Sequence, residues 1–227
     1  MSDPTTLRRL YGRRQGHALR GLQAGLVETL LPRIAVPLSG PVDAATLFGD
    51  ARPLWLEIGF GKGEHLVELA VAHPEVGFIG CEPFLNGVAG ALAEIDARGL
   101  TNVAVHMGDA IDVLERLADA SLAGAFLLHP DPWPKARHAK RRFANPGPLG
   151  LLAAKLAPGS EFRLGTDHPV YCRWALMQMA RRHDFAWLAE TPADWQARPL
   201  DWPDSRYAAK ARAQGREIWY LRYRKLA

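Results

Sequence analysis

The segment PLWLEIGFGKGEHLVELAVAH, residues 53–73, contains the pattern on which the fold assignment rests. Its first part, PLWLEIGF (53–60), is an apolar run that predicts a buried strand ending in glycines. The following EHLVELAVAH (64–73) predicts an amphipathic helix, because its apolar residues recur on one helical face. A strand that passes through a glycine turn into a helix is the basic unit of an α/β protein.

The same alternation continues along the chain. Further strands are predicted over 76–82, 102–109, 123–130 and 161–167, and further helices over 87–100, 111–119, 146–159 and 168–183. Strands separated by helices of roughly 10–15 residues build βαβ units with right-handed crossovers, so we expect an α/β fold with a doubly wound, mostly parallel, Rossmann-like sheet. Two late strands, at 185–190 and 216–226, have no predicted helix between them and are expected to form an antiparallel pair.

Length and composition favour one domain with a basic extension. The 227 residues are 48% hydrophobic and 23% charged, as in ordinary globular proteins. No apolar run reaches the roughly 18 residues of a membrane span, and the N-terminus lacks the apolar core of a secretory signal, so a cytoplasmic location is predicted. We place the extension at residues 1–40, with a linker-like stretch at 37–53, and the main domain at 41–227. The spacing of Cys81 and Cys172 does not suggest a metal site, and no metal is expected.

Positive charge is concentrated in two segments, although the formal net charge is only +4. One segment lies at 135–142, and the other is in residues 1–25, where Asp3 is the one acid against five arginines. These arginines are Arg8, Arg9, Arg13, Arg14 and Arg20. Two such segments suggest a polyanionic partner, either nucleic acid or an anionic membrane, while solvated surface charge is the alternative for each segment alone.

Acidic side chains coincide with the ends of the first three predicted strands. Glu57 precedes the glycines at 59, 61 and 63, Glu82 ends the second strand, and Asp109 ends the third. Ligands of such sheets bind beyond the carboxyl ends of the strands. These acids suit the ammonium group, the ribose hydroxyls and the adenine amine of S-adenosylmethionine. NAD is the weaker alternative, because its pyrophosphate would be repelled and the glycine spacing departs from G-x-G-x-x-G.

The fourth strand runs into a rigid corner, LLHPDPWPKARHAKRR (127–142). Prolines fix φ and remove amide donors, so Asp131 and Trp133 are expected to project stiffly beside the cofactor. Trp133 would stack on a nucleic-acid base and Asp131 would bind the edge of that base. The alternative is that Trp133 only caps the core and Asp131 only caps a turn. The neighbouring side chains are expected to bind backbone phosphates: Lys135, Arg137, His138, Lys140, Arg141 and Arg142.

LEIGFGKGEHL (56–66), HPDPWPKARHAKRR (129–142) and LGTDHPVY (164–171) together resemble the bacterial tRNA (guanine-N7-)-methyltransferases. The resemblance extends from about residue 54 to the C-terminus and implies a class I methyltransferase fold. It also implies methyl transfer from S-adenosylmethionine to N7 of a guanine in the tRNA variable loop. The chain departs from the family pattern at His129, where an aromatic or apolar residue is usual, and at Ala208, which aligns with a glutamate.

Site residues follow from this resemblance position by position. The cofactor-binding acids that it implies are Glu57, Glu82, Asp109 and Asp131. The glycines Gly59, Gly61 and Gly63 are added to the cofactor site because they let a ligand approach the backbone without meeting a Cβ. The substrate-binding positions are Lys135, Arg137, His138, Lys140, Arg141, Arg142, Asp167, Ser205, Arg206 and Tyr207. Asp131 is also the predicted catalytic residue; since guanine N7 carries no proton, we expect it to orient the base and stabilise charge rather than to act as a base.

Other functions stay open at this stage. A methyltransferase acting on another nucleic-acid atom is the principal alternative among enzymes. A non-catalytic RNA-binding protein on the same fold is a second alternative, and an NAD oxidoreductase is a distant third. The predicted partner is tRNA, with no membrane association, and the chain could be a monomer or a homodimer.

Overall fold

A computed structural model describes residues 12, 14–204 and 206–227. The predictions made for Arg8, Arg9, Arg13 and Ser205 lie outside the described residues. The strands are β1 (Leu54–Ile58), β2 (Gly77–Cys81), β3 (Val103–His106), β4 (Leu122–Leu128), β5 (Leu156–Thr166), β6 (Phe185–Trp187) and β7 (Trp219–Lys225). The helices are α1 (Leu22–Thr29), α2 (Leu31–Ile34), α3 (Ala44–Phe48), α4 (Glu64–Ala72), α5 (Leu85–Ala97), α6 (Ala110–Leu114), α7 (Pro146–Lys155), α8 (Pro169–Met179), α9 (Ala193–Gln196) and α10 (Arg206–Ala213), with a 3-10 helix over Ala136–Arg141.

One sheet organises the chain, in the order β3-β2-β1-β4-β5-β7-β6. The first five strands in this order are mutually parallel, whereas β7 runs antiparallel to β5 and to β6. The strand order reverses between β1 and β4, which is where ligands bind in such sheets. The doubly wound parallel sheet and the late antiparallel pair are therefore confirmed.

Helices cover both faces of the sheet, and each face has its own apolar core. One core contains Leu56, Ile79 and Phe162, and the other contains Leu66 and Leu92. Burial on two faces explains why β2, GFIGC, is apolar throughout rather than alternating. Both cysteines are buried and free.

Several element predictions were wrong, chiefly in the number and length of the helices. Helices α9 and α10 lie between the late strands, where no helix was predicted; α10 buries only the small side chains of Ala208 and Ala211, so it lacks a strong apolar stripe. Helix α7 also ends at Lys155 rather than at 159, because Leu156 already pairs with Leu122 at the start of β5.

The described part of the N-terminal extension packs on the sheet and on α5. Leu26 of α1 and Val36 are buried, and the amide of Val36 donates to the carbonyl of Val105 in β3. The stretch predicted as a linker contains α3, which is capped by Asp43 through a hydrogen bond from the amide of Thr46. None of the described helices is long and apolar enough to cross a membrane.

Candidate active site

The glycine-rich loop after β1 depends on glycine at three alternate positions. Gly59, Gly61 and Gly63 have φ angles of 74°, 60° and 81°, in the left-handed region that glycine occupies at low cost. The loop also lies against α5: a Cβ on Gly87 would come within 2.3 Å of the carbonyl oxygen of Gly61. The backbone of the loop is therefore held close to α5 with no side chain between them.

Glu82 anchors this loop from the end of β2. One carboxylate oxygen accepts from the amide of Gly61 at 2.8 Å, and the other accepts from the amide of Phe84 at 2.9 Å. Burial raises the pKa of Glu82 above its usual value, and the nearby charges of Asp131 and Glu57 act in the same direction. Three of the four predicted acids are thus close enough to interact electrostatically.

Glu57 lies deeper than its neighbours in the site. It is only 3% exposed, and its Oε2 is 2.8 Å from Nδ1 of His65 on α4. The imidazole packs edge-on against Phe126 with a ring separation of 4.6 Å. His65 was not predicted as a site residue, although its position in the first turn of the helix after the glycine-rich loop indicates proximity to the site.

Asp109 begins α6 directly after β3. Its Oδ1 accepts from the amide of Ile111 at 3.1 Å, so the carboxylate caps the helix while it remains half-buried. The adjacent Met107 is exposed at the same edge of the sheet. Strand β3 ends at His106, so Asp109 lies three residues beyond the strand that it was predicted to end. The strand before it, β3, neighbours β2, which Glu82 follows.

The Pro-Asp-Pro-Trp loop is held from behind by Arg142. This guanidinium donates to the carbonyl oxygens of Pro132 at 3.0 Å and Trp133 at 2.8 Å, and it lies over the ring of Trp174. Arg142 is only 4% exposed, so the prediction that it binds phosphate is corrected. Its charge stabilises the loop that presents Asp131, which is itself exposed.

The rest of the predicted basic segment consists of Lys135 and the 3-10 helix that directly follows it. Lys135, Arg137 and Lys140 are exposed. Trp133 is half-buried: the guanidinium of Arg141 lies 4.8 Å from the ring centroid, and His138 packs edge-on at 5.8 Å. The segment therefore divides into exposed cations and groups that pack on Trp133.

A small cavity of about 140 Å³ adjoins the Pro-Asp-Pro-Trp loop. Its walls include Asp131, Asp167 and Tyr207, which were predicted, together with His129 and Arg216, which were not predicted as site residues. The residues that line the cavity are His129, Pro130, Asp131, Pro132, Asp167, His168, Tyr207, Lys210 and Arg216.

Contacts among these side chains link the cavity to the glycine-rich loop. Nδ1 of His129 is 3.1 Å from one oxygen of Asp167, and Arg216 forms an ion pair with the other oxygen. The ring of Tyr207 stacks on His129 at 6.2 Å and also lies against Gly61. Arg206 is exposed at the start of α10.

The described part of the N-terminal segment contacts the start of α5, at the edge of the sheet where the parallel strands end. The carbonyl of Arg14 accepts from the amide of Leu85, and the side chain of Asn86 bonds both the amide of Gly16 and the carbonyl of His17. These contacts bring the basic extension to the start of α5, beside Glu82. Among the described residues, no group of three or more His, Cys, Asp or Glu is arranged to hold a metal ion.

Comparison with known proteins gives concordant matches. A family model described as "Putative methyltransferase" matches residues 51–221. The chain is 61% identical to the tRNA (guanine-N(7)-)-methyltransferase of Zymomonas mobilis, over 99% of this chain and 97% of that protein. It is 60% identical to the protein of the same name from Sphingopyxis alaskensis, over 98% and 97%. An rRNA methylase structure from Streptococcus thermophilus shares the fold, with a TM-score of 0.53 at 9% identity over 92% of this chain and all of that one.

Proposed function

Because the chain belongs to the tRNA (guanine-N(7)-)-methyltransferase family, we propose that it transfers a methyl group from S-adenosylmethionine to N7 of a guanine in the tRNA variable loop. The observation that carries this proposal is the near-complete coverage of both chains at about three-fifths identity. The site supports it independently, because acidic side chains, a small cavity beside Asp131 and an exposed basic segment all follow the carboxyl ends of the parallel strands.

The residues present fit S-adenosylmethionine, which supplies the transferable methyl group when bound. The loop over 59–63 offers bare backbone at its three glycines. It lies directly against α5, because a Cβ on Gly87 would come within 2.3 Å of the carbonyl oxygen of Gly61. Glu82 and Asp109 follow the neighbouring strands β2 and β3 and would supply carboxylates for hydroxyl and amine donors. Glu57 is buried in β1, 2.8 Å from His65, and adds a third acidic side chain to this edge of the sheet, which suits a cationic ligand.

The cavity beside Asp131 is assigned to the target guanine. Its volume of about 140 Å³ suits a single nucleobase, and enzymes that modify bases take them into such pockets. Asp131 and Asp167 provide acceptors for guanine N1–H and the 2-amino group, and Arg216 provides a donor for O6. Lys135, Arg137 and Lys140 would then bind phosphates of the flanking chain.

Guanine N7 presents an in-plane lone pair and carries no proton, so its methylation needs no general base at that atom. The chain's task is alignment, which can contribute on the order of 7–11 kcal/mol when two reactants are held in reacting geometry. The guanine ring becomes positively charged as N7 is methylated. The carboxylate of Asp131 beside the cavity would stabilise that charge.

The direct test is methyl transfer from labelled S-adenosylmethionine to an unmodified tRNA transcript, followed by mapping of the modified nucleotide. We expect label on N7 of one variable-loop guanine. A matched transcript with adenine at that position serves as the control and should remain unlabelled. Label on an exocyclic amine or on ribose would contradict the proposal.

A further inference from the structure

His129 occupies an unusual backbone position at the end of β4. Its φ is 45°, in the left-handed region that non-glycine residues seldom adopt, and its amide donates to the carbonyl of Gly165 at 2.7 Å. The imidazole is largely buried and lines the small cavity. Such conformations persist only where the surroundings hold them, and they cluster at functional sites.

The contact with Asp167 fixes which ring nitrogen carries the proton. A carboxylate only accepts hydrogen bonds, so Nδ1 of His129, 3.1 Å from Asp167, is the donor. In the neutral ring, Nε2 then carries a lone pair and is a hydrogen-bond acceptor. Burial lowers the pKa of His129 below its usual 6.5, which favours this neutral form near pH 7.

Charged and polar groups surround the imidazole on several elements. Asp167 follows β5, while Arg216 and Asp204 belong to the segments that flank α10. The charge of Arg216 lowers the pKa of His129, whereas Asp167 and Asp204 raise it. The lowering effect of burial is the largest, so the pKa is lowered overall. The other polar or titratable side chains of the cavity are Asp131, His168, Tyr207 and Lys210.

We propose that His129 recognises the target guanine by accepting, at Nε2, a hydrogen bond from the donor edge formed by N1–H and the 2-amino group. This inference rests on the guanine N7 activity proposed above. The donor edge carries three hydrogens, one on N1 and two on the 2-amino group, whereas Asp131 and Asp167 are two acceptor groups. Because Asp167 also holds His129 and Arg216, an added acceptor on the cavity wall meets a need of the base. The ring of Tyr207, stacked on His129, keeps the imidazole in place.

Two substitutions of His129 distinguish the role of Nδ1 from that of Nε2. In His129→Asn the amide nitrogen can occupy the place of Nδ1 and still donate to Asp167, but no atom reaches the place of Nε2. In His129→Gln the longer side chain carries an acceptor to the place of Nε2. We expect kcat/KM for tRNA to be roughly 3- to 10-fold lower in His129→Asn than in His129→Gln, the size of one hydrogen bond.

The pH dependence of kcat/KM for tRNA distinguishes recognition of the base by His129 from a purely structural role of this residue. Protonation removes the acceptor at Nε2, so wild-type kcat/KM for tRNA should fall as the pH decreases through the His129 pKa, below 6.5. His129→Gln should lack that part of the fall. The affinity for S-adenosylmethionine should be equal in all three proteins.

Equal kcat/KM for the Asn and Gln variants, or identical pH profiles for wild type and His129→Gln, would overturn the assignment. A decrease in kcat/KM of His129→Asn that is accompanied by lower thermal stability or weaker S-adenosylmethionine binding would overturn it as well. Failure of the proposed function is distinguishable, because the wild-type protein would then place no methyl group on guanine N7 of tRNA.

Discussion

Glu82 and Gly61 are joined by a hydrogen bond of 2.8 Å, from the amide of the glycine-rich loop to the carboxylate at the end of β2. The second oxygen of Glu82 accepts from the amide of Phe84, at the start of α5. One side chain therefore fixes the loop and the helix relative to each other. The two backbone donors favour the ionised form of Glu82, although burial raises its pKa overall.

Glu82→Gln should weaken S-adenosylmethionine binding. An amide has one acceptor oxygen, so one of the two backbone donors would face an NH₂ group. Loss of a hydrogen bond to a charged group corresponds to roughly tenfold or more in affinity. Isothermal titration calorimetry measures this effect, with Glu94→Gln on the exposed face of α5 as the matched control. Equal affinity in both variants would rule out the anchoring role.

The pH dependence of cofactor binding tests the same carboxylate. Burial raises the pKa of Glu82 above 4.5, and we expect the ionised form to bind the ligand. The affinity should therefore be full at neutral pH and decrease as the pH falls through that raised pKa. The decrease should begin at a higher pH than an ordinary glutamate would give. Glu82→Gln should lack this component.

Gly87→Ala should disrupt contact between α5 and the glycine-rich loop. The added Cβ would lie 2.3 Å from the Gly61 carbonyl oxygen, which forces backbone to move. Overpacking of this kind costs about 1–3 kcal/mol of unfolding free energy. Gly90→Ala is the control, since its Cβ would meet only Lys62 side-chain atoms at 3.4 Å. Alanine in that helical position should stabilise by about 0.5–1 kcal/mol. In urea denaturation, the unfolding free energy should decrease in Gly87→Ala and increase in Gly90→Ala. A similar change in both variants would contradict the close packing at Gly87.

The basic segment should separate into structural and RNA-binding side chains. Arg142→Met would leave the carbonyls of Pro132 and Trp133 without their donor, lowering the unfolding free energy by about 1–3 kcal/mol. Lys140→Ala should leave stability unchanged and weaken tRNA binding. Each lost phosphate contact reduces the slope of log affinity against log salt by about 1. Fluorescence anisotropy across a salt series measures the slope; an unchanged slope for Lys140→Ala would indicate a solvated cation.

Sequence periodicity was sufficient for the sheet because its central strands and helices have strong local patterns. It was insufficient for α10, whose contacts depend on two alanines and on the packing of Tyr207 against Gly61. The acids at the strand ends could be located because parallel strands place their carboxyl ends on one edge. Burial of Arg142 could not be predicted, since five neighbouring cations look alike until Trp174 and the loop carbonyls are placed.

Asp131→Asn tests whether negative charge beside the cavity accelerates methyl transfer. Asparagine retains the size and hydrogen-bonding reach of the side chain but removes its charge, so the cation formed on guanine loses its stabilising partner. Preorganised groups of this kind contribute roughly 10²-fold in rate. Single-turnover methylation at saturating S-adenosylmethionine and tRNA isolates the chemical step from both binding steps. Asp119→Asn is the control and should react at the wild-type rate, because Asp119 is exposed and precedes β4, at the opposite end of that strand from Asp131. A wild-type rate in Asp131→Asn as well would restrict Asp131 to binding and leave alignment as the source of the acceleration.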